Sequence, residues 1–378
     1  MKKISVIVPI YYGKNYIDDM IKQIDIASGN IKNFIVELII VNDTPDEIIE
    51  GYSSEKNYVK IINLGYNQGI HGARVKGLES SSGEYILFLD QDDKISPLYF
   101  VSQLNKLKTN DAVVCLPKHW KNLGLFDKES FTTKIQFEKF IGEGNMITSP
   151  GQVLIKKEAI PKTWINNIMR SNGADDWFLW ICMMKLGCTF AVNDDELFEH
   201  VLHEHNESHN ELNMSKSEQE MNFIIKEKGI LSSEEQKQLD ICIKNIFYQR
   251  VYVLEKTKKK LKLYEKWLDL HRKGKYISDF CKKSHIKSVS IYGAADVGQQ
   301  IYRELSLNNI IVDKFIDRKG YSVYDTVPVV KLEEYLFESD LIIISVIDFD
   351  KSIKEYIKKY NKDVRSIEEI IDELLKNE

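Results

Sequence analysis

Short runs of almost purely aliphatic residues open this chain, each followed by a polar turn and then by apolar residues at helical spacing. Residues 4–9 (Ile-Ser-Val-Ile-Val-Pro) form the first run, and Ile17, Met20, Ile21 and Ile24 follow on one helical face. Residues 36–41 and 59–64 repeat the pattern, the latter ahead of a helix carrying Ala73, Val75 and Leu78. Strands without alternation are buried on both faces, so the pattern predicts a parallel sheet covered by helices on each side. A fourth run, 85–89, ends in Asp90-Gln91-Asp92-Asp93, and the second ends in Asn42-Asp43-Thr44-Pro45. Ligands of such sheets bind beyond the carboxyl ends of the strands, which is where these acids fall. Further strands are expected at 112–116 and 151–155, then a helix carrying Asp175, Asp176, Trp177, Leu179, Trp180 and Met184 up to Gly187.

At 378 residues the chain has room for two or three domains. From 215 to about 276 the pattern changes to long helices, one opened by a capping box of Ser232 with Glu235. From 287 the βαβ alternation resumes, with strands expected at 288–292, 310–316 and 341–346 and a closing helix at 367–375. The expected division is therefore an α/β domain at 1–214, a helical connector at 215–286, and a smaller Rossmann-like α/β domain at 287–378. Net charge is only −5, which excludes a chain-wide basic field for nucleic acid. It is unevenly spread: residues 254–287 hold eleven Lys and one Arg against two Glu and two Asp, a net +8 that leaves −13 elsewhere. Such a segment suits either an anionic membrane surface or a solvated helix face. Five dispersed cysteines without a Cys-x-x-Cys suggest neither a disulfide framework nor a thiolate zinc site, so a reducing cytoplasm is expected. No apolar run approaches the length of a bilayer span.

Asp90 and Asp92, at alternate positions past a buried strand with Asp93 beside them, repel one another unless a cation is shared. Mg²⁺ or Mn²⁺, with substrate phosphates completing the shell, would suit them; equally, Asp92 and Asp93 could cap the following turn. Three blocks bear on the choice: Val6-Ile7-Val8-Pro9-Ile10-Tyr11, then Asn63-Leu64-Gly65-Tyr66-Asn67-Gln68-Gly69 with Ala73-Arg74 and Gly77-Leu78, and Gly83-Glu84-Tyr85-Ile86-Leu87-Phe88-Leu89-Asp90-Gln91-Asp92-Asp93. Together they resemble glycosyltransferase family 2, the inverting nucleotide-sugar transferases of the GT-A fold. The resemblance implies a mixed, mostly parallel sheet, a nucleotide-sugar donor with a UDP-sugar as first expectation, and Mn²⁺ or Mg²⁺. It implies a glycan or lipid-linked acceptor, in the setting of bacterial surface polysaccharide such as capsule. It places Asp43 at the nucleotide base, Asp90 at the ribose or sugar, Asp92 with Asp90 at the metal, and Pro9, Tyr11, Asn67, Arg74 and Gln91 along the donor.

The family's Val-Asp-Asp-Gly-Ser reads Val41-Asn42-Asp43-Thr44-Pro45 here, so the first Asp is Asn. Asp43 can also be read as an Asx-turn residue. Gly173-Ala174-Asp175-Asp176-Trp177 resembles the family's Glu-Asp-Trp segment, which implies Asp176 as general base, Asp175 as second choice, and Trp177 near the acceptor. Read without the resemblance, the two acids compensate a helix dipole. Four histidines fall at 200–209; His203 and His205 are the candidates for completing a metal shell, with a solvated polar loop as the alternative. His71 and Arg74 are expected in a loop, where a cation could meet a diphosphate. Near the end, Gly293-Ala294-Ala295-Asp296-Val297-Gly298 with Asp317 resembles a dinucleotide fingerprint, making Gly293, Gly298 and Asp317 a candidate second nucleotide site. The leading expectation is a cytoplasmic enzyme transferring one sugar, with peripheral membrane contact and homo-oligomerisation as further expectations. The competing one is a non-catalytic nucleotide-sugar-binding scaffold or sensor.

Overall fold

The computed structural model describes residues 1–54, 58–118, 128–201, 210–318, 320, 322–335, 338–347, 351–359 and 363–376. They fall into two compact units, Met1–Tyr248 and Gln249–Glu378.

The first unit begins with β1 (Lys2–Ile10), α1 (Ile17–Ser28), β2 (Phe34–Asn42), β3 (Tyr58–Asn63), α2 (Gly69–Ser80) and β4 (Tyr85–Phe88). It continues through β5 (Lys94–Ile95), α3 (Tyr99–Leu107), β6 (Ala112–Pro117), α4 (Lys128–Lys134), α5 (Phe137–Gly142), β7 (Val153–Lys156), α6 (Lys162–Asn166), α7 (Asp175–Lys185), β8 (Phe190–Glu199) and α8 (Glu211–Glu227). The sheet order is β3-β2-β1-β4-β7-β6-β8-β5. β1, β2, β3 and β4 run parallel, as does β6 with β8, whereas β7 runs antiparallel to both β4 and β6 and β5 to β8. This is the expected mixed, mostly parallel sheet. Its two faces carry separate cores, one with Ile7, Ile39 and Phe88 under α2 and α7, the other with Val6, Leu38 and Leu87 under α1 and α3. Alternate residues of each strand thus point into opposite cores, which is why these runs are almost wholly apolar, the buried pair Ser5 and Glu37 in β1 and β2 being bonded to each other.

The helix α9 (Ser233–Arg272) begins where the capping box placed it: Glu235 Oε2 accepts from Ser232 N at 2.7 Å and Ser232 Oγ from Glu235 N at 3.4 Å. Residues of the segment expected as a connector, 215–286, join the cores of both units. Met221 and Ile225 of α8 and Leu239, Cys242 and Ile243 of α9 are buried in the first unit's core. Leu263, Trp267 and Leu270 of the same helix are buried in the second unit's core. Helical periodicity reveals an apolar face but not which core receives it.

The second unit adds α10 (Ile277–Lys283), β9 (Ser288–Tyr292), α11 (Asp296–Leu307), β10 (Ile311–Ile316), β11 (Ser322–Tyr324), β12 (Val327–Val330), β13 (Leu341–Ile344), α12 (Lys351–Lys358), β14 (Val364–Ser366) and α13 (Ile367–Lys376). Its sheet order is β11-β12-β10-β9-β13-β14, parallel except for the hairpin of β11 with β12. Glu304 of α11 is buried and fully used: Oε2 accepts from Trp267 Nε1 and pairs with His271 Nε2, each at 2.8 Å, and Oε1 accepts from Ile277 N at 2.5 Å. Among the described residues no helix is long and apolar enough to cross a membrane.

Candidate active site

The carboxyl ends of β1, β2 and β4 meet at adjacent positions, because β1 pairs with both of the others. The exit of β1 is tied to its neighbours by backbone donors: Tyr11 N gives to Gln91 Oε1 at 3.0 Å and Tyr12 N to Thr44 Oγ1 at 2.7 Å. Tyr12 takes a left-handed backbone (φ 48°), and the turn leaves no room at Gly13, where a Cβ would lie 2.1 Å from Gln91 Oε1. Pro9 is buried within β1, whereas Tyr11 is exposed.

The departure at Asn42 has a structural reason. Its buried amide gives both hydrogens away, to Asn63 Oδ1 at 2.9 Å and Glu47 O at 2.6 Å, which an aspartate could not do. Asp43 beside it is buried, and its Oδ1 accepts from Gln68 N at 2.6 Å, anchoring the start of α2; burial pushes its carboxyl above the ordinary value. Asn67 bridges the same corner, giving to Asp43 O at 3.4 Å and accepting from Gly69 N at 3.2 Å.

Past β4 the chain turns at Asp90-Gln91-Asp92-Asp93, with Asp93 N bonded to Asp90 O at 3.2 Å. Asp93 is the buried member: Ser149 Oγ donates to its Oδ2 at 2.8 Å, and His200 Nδ1 lies 2.8 Å from its Oδ1. That carboxylate holds the His200 imidazole above its ordinary pKa. Ser149 also reaches Asp90 Oδ2 at 3.4 Å. Asp93 and His200 enter the sequence reading only as members of the acidic cluster and the histidine tract, and Ser149 not at all, although Ser149-Pro150-Gly151-Gln152 is a legible Ser-x-x-Gln capping box and forms as one.

His71 and Arg74 lie in α2, not in a loop, and both are buried. His71 Nδ1 accepts from Met169 N at 3.0 Å and its ring lies against Trp164, tilted by 34° with centroids 4.4 Å apart; burial lowers its pKa to about 4. The Arg74 guanidinium is likewise committed: Nη1 donates to Asp175 Oδ2 at 2.7 Å and Nη2 to Asp90 Oδ1. Arg74 therefore links the end of β4 to the start of α7. Asp175 is 1% exposed and paired to this arginine.

Asp176 differs. Its Oδ1 accepts from Trp177 N at 2.6 Å and its Oδ2 from Asn145 Nδ2 at 3.1 Å, while Asn145 Oδ1 accepts from Ile147 N and so fixes the amide. Burial, reinforced by the neighbouring Asp175 charge, pushes Asp176 up to about 7. A carboxyl poised near neutrality suits proton transfer. The preceding Gly173 (φ 126°) makes the turn, and Ser217 Oγ accepts from Ala174 N at 2.9 Å. Trp177, expected near an acceptor, is instead core: it is 2% exposed and donates Nε1 to Phe140 O at 3.0 Å. Residues Trp177 to Met183 are all buried, so α7 has no solvent face on which a tryptophan could stack.

Among the described residues no group of three or more His, Cys, Asp or Glu is placed to hold a metal alone. Asp90, whose carboxylate accepts from Arg74 Nη2 and Ser149 Oγ, and Asp92 follow β4 in one turn; a hard divalent cation takes one or two carboxylates and completes its shell with phosphate and water oxygens. His203 and His205 lie outside the described residues. In the second unit Gly293, Gly298 and Asp317 do come together, but packing explains them. A Cβ on Gly298 would lie 2.0 Å from Gly293 O, one on Gly293 2.5 Å from Ser345 Oγ, and Asp317 Oδ2 accepts from Ala294 N at 3.0 Å.

Residues 5–164 match the model of Glycosyl transferase family 2. An uncharacterized glycosyltransferase of Haemophilus influenzae is 34% identical over 118 residues, 30% of this chain and 46% of that one. The GalNAc(5)-diNAcBac-PP-undecaprenol beta-1,3-glucosyltransferase of Campylobacter jejuni is 29% identical over 156 residues, 38% of this chain and 50% of that one. The chain thus spans about half the length of these curated relatives. A crystal structure of S. aureus TarS 1-349 in complex with UDP is similar with a TM-score of 0.44 at 16% identity, covering 64% of this chain and 71% of that one.

Proposed function

We propose that this chain, whose residues 5–164 are a glycosyl transferase family 2 domain, moves a single sugar with inversion from a nucleotide diphosphate donor to a glycan or lipid-linked acceptor. The observation that carries this reading is Asp176. It is a buried carboxyl raised to about 7, oriented through both oxygens, at the head of a helix whose preceding acid is strapped by Arg74 to the end of β4. Asp43 and the β1 exit hold the base end of the donor, and Asp90 its sugar end. Asp176 takes the proton of the acceptor hydroxyl as that oxygen bonds to the anomeric carbon from the face opposite the diphosphate, whose bond to the sugar breaks. Asp92 with Asp90 would hold Mn²⁺ or Mg²⁺, which when bound supplies positive charge for the leaving diphosphate. Similarity to the putative teichuronic acid biosynthesis glycosyltransferase TuaG of Bacillus subtilis, 34% identical over 92 residues, 24% of this chain and 36% of that one, supports a role in bacterial surface polysaccharide assembly.

A panel of nucleotide sugars incubated with the chain, Mn²⁺ and candidate acceptors tests the reading by nuclear magnetic resonance of the product. Inverted anomeric configuration and metal-dependent release of a nucleoside diphosphate are expected. Retention of configuration would remove Asp176 from its role, and absence of both hydrolysis and transfer with every donor would reject the activity.

A further inference from the structure

The match to the family model ends at residue 164, and α7 with the segment leading into it lies beyond that point. Residues 170–174 belong to neither helix nor strand, so their backbone must be fixed by its neighbours. On one side stands α2: Met169 N donates to His71 Nδ1 at 3.0 Å, and Asn172 Oδ1 accepts from Ile70 N at 3.1 Å. Ile70 comes two residues after Gln68, whose own N–H is given to Asp43, so this side of the segment reaches the corner assigned to the donor's base. On the other side stands α8. Glu220 Oε1 accepts from Arg170 N and Oε2 from Ser171 N, each at 2.8 Å. Ser217, fully buried, donates to Ser171 O at 3.0 Å and accepts from Ala174 N at 2.9 Å. At Gly173 a Cβ would lie 2.4 Å from Met214 Sδ of the same helix, so the backbone passes close against α8. Ser217 and Glu220 are three residues apart and share one helix face, which thereby holds the backbone immediately before Asp175 and Asp176.

We infer that Glu220 is a positioning residue for sugar transfer, fixing the backbone at 170–171 and so setting where the Asp176 carboxylate stands relative to the donor. This rests on the general-base role proposed above for Asp176. A carboxylate suits the task because it offers an acceptor oxygen to each of two consecutive N–H groups, and charged acceptors make the stronger bonds. The acceptor hydroxyl must lie both in line with the anomeric carbon and within hydrogen-bond reach of Asp176. A displacement of about 1 Å in such a group can cost about 10²-fold in rate. Asp43, Asp90 and the β1 exit, which carry the donor, lie outside the segment, so loosening it acts on turnover and not on donor affinity. Ser217 shares the work but is interior, whereas Glu220 is only partly buried and its loss leaves N–H groups that water can reach.

The test compares the full chain with Glu220→Ala, Glu220→Gln, Asp176→Asn and the double variant Glu220→Ala with Asp176→Asn. Nucleoside diphosphate release is measured with the nucleotide sugar and acceptor that the parent turns over fastest in the panel above, UDP-glucose being tried first. Glu220→Ala should melt close to the parent, keep its donor KM, and lose about 10–100-fold in kcat. Glu220→Gln, which retains one acceptor oxygen, should fall between the two. In the Asp176→Asn background the loss of Glu220 should change turnover by less than about 2-fold, because the group it positions is already gone. If Glu220→Ala does not fold, the same comparison in both backgrounds is made with Glu220→Gln. Equal fractional losses in the two backgrounds overturn the inference, as do a parental kcat in Glu220→Ala or a loss carried by donor KM. A parent that releases no diphosphate from any donor, or an Asp176→Asn chain with parental turnover, removes the transferase reading and this inference together. An active parent and an impaired Asp176→Asn with additive losses remove this inference alone.

Discussion

Asn145 sits four residues before Ser149 in one loop, and the two reach different parts of the site, Asn145 the Asp176 carboxylate and Ser149 the Asp90 and Asp93 carboxylates. A hydrogen bond donated to a carboxylate favours its charged form, so removing it must raise the pKa. Asn145→Ala is therefore expected to move the acid limb of the kcat pH profile upward by about one unit, with the donor KM unchanged. An unmoved limb would mean that Asn145 does not act through Asp176. The raised pKa also carries a stability cost. Between the ordinary aspartate value of 3.8 and about 7 the folded chain binds a proton that the unfolded chain has released, so stability falls as pH rises through that window. Asp176→Asn should accordingly melt higher than the parent at pH 8, with a smaller difference at pH 5; an equal or lower melting temperature at pH 8 would contradict the burial. Arg74→Ala should cost about 3–5 kcal/mol in urea unfolding, because it strands the charges of Asp175 and Asp90. The acids past β4 stood out because a like-charged cluster at the end of a buried strand needs a partner, whereas those opening α7 read equally as compensating the helix dipole. Arg74 was misplaced because a cation in sequence does not show what already neutralises it. Asn145, neutral and in a loop, offered no signal.

Helix α2 reaches the site because it lies close on the sheet. A Cβ at Gly77 would come 2.3 Å from Ile7 Cγ2 and 3.2 Å from Val41 Cγ2, so the helix can approach β1 and β2 only with glycine there. Gly77→Ala is expected to destabilise the chain by about 1–3 kcal/mol and, by lifting α2, to lower activity; unchanged stability would place the helix farther from the strands. The parallel strands β1 to β4 were readable from their apolar runs, which double-sided burial imposes. β8 was not, since Asn193-Asp194-Asp195-Glu196 interrupts its pattern, and it pairs with β6 through register shifts there. The antiparallel entry of β7 was equally hidden, because an apolar run carries no direction. Capping chemistry was more informative: Ser232 with Glu235 fixed the start of α9, and Ser149 with Gln152 could have pointed to the loop that serves the site.

Two separate cores imply two units that can lose structure at different temperatures. Glu304→Ala leaves Trp267 Nε1 and Ile277 N, both buried, without their acceptor at about 1–3 kcal/mol each, and frees the half-buried His271 to water. Calorimetry should show two transitions, of which this substitution lowers one by several degrees; a single transition lowered as a whole would contradict independent cores. That two α/β segments lie on either side of helical sequence could be read from the changing periodicity. The division within α9 could not, because both halves of that helix are amphipathic alike. What joins the account is Asp176, and the most direct measurement is nucleoside diphosphate release by the parent and by Asp176→Asn with a donor that both bind. Retained donor affinity with turnover reduced about 10²–10⁴-fold is expected for loss of a general base. Parental turnover by Asp176→Asn would contradict it.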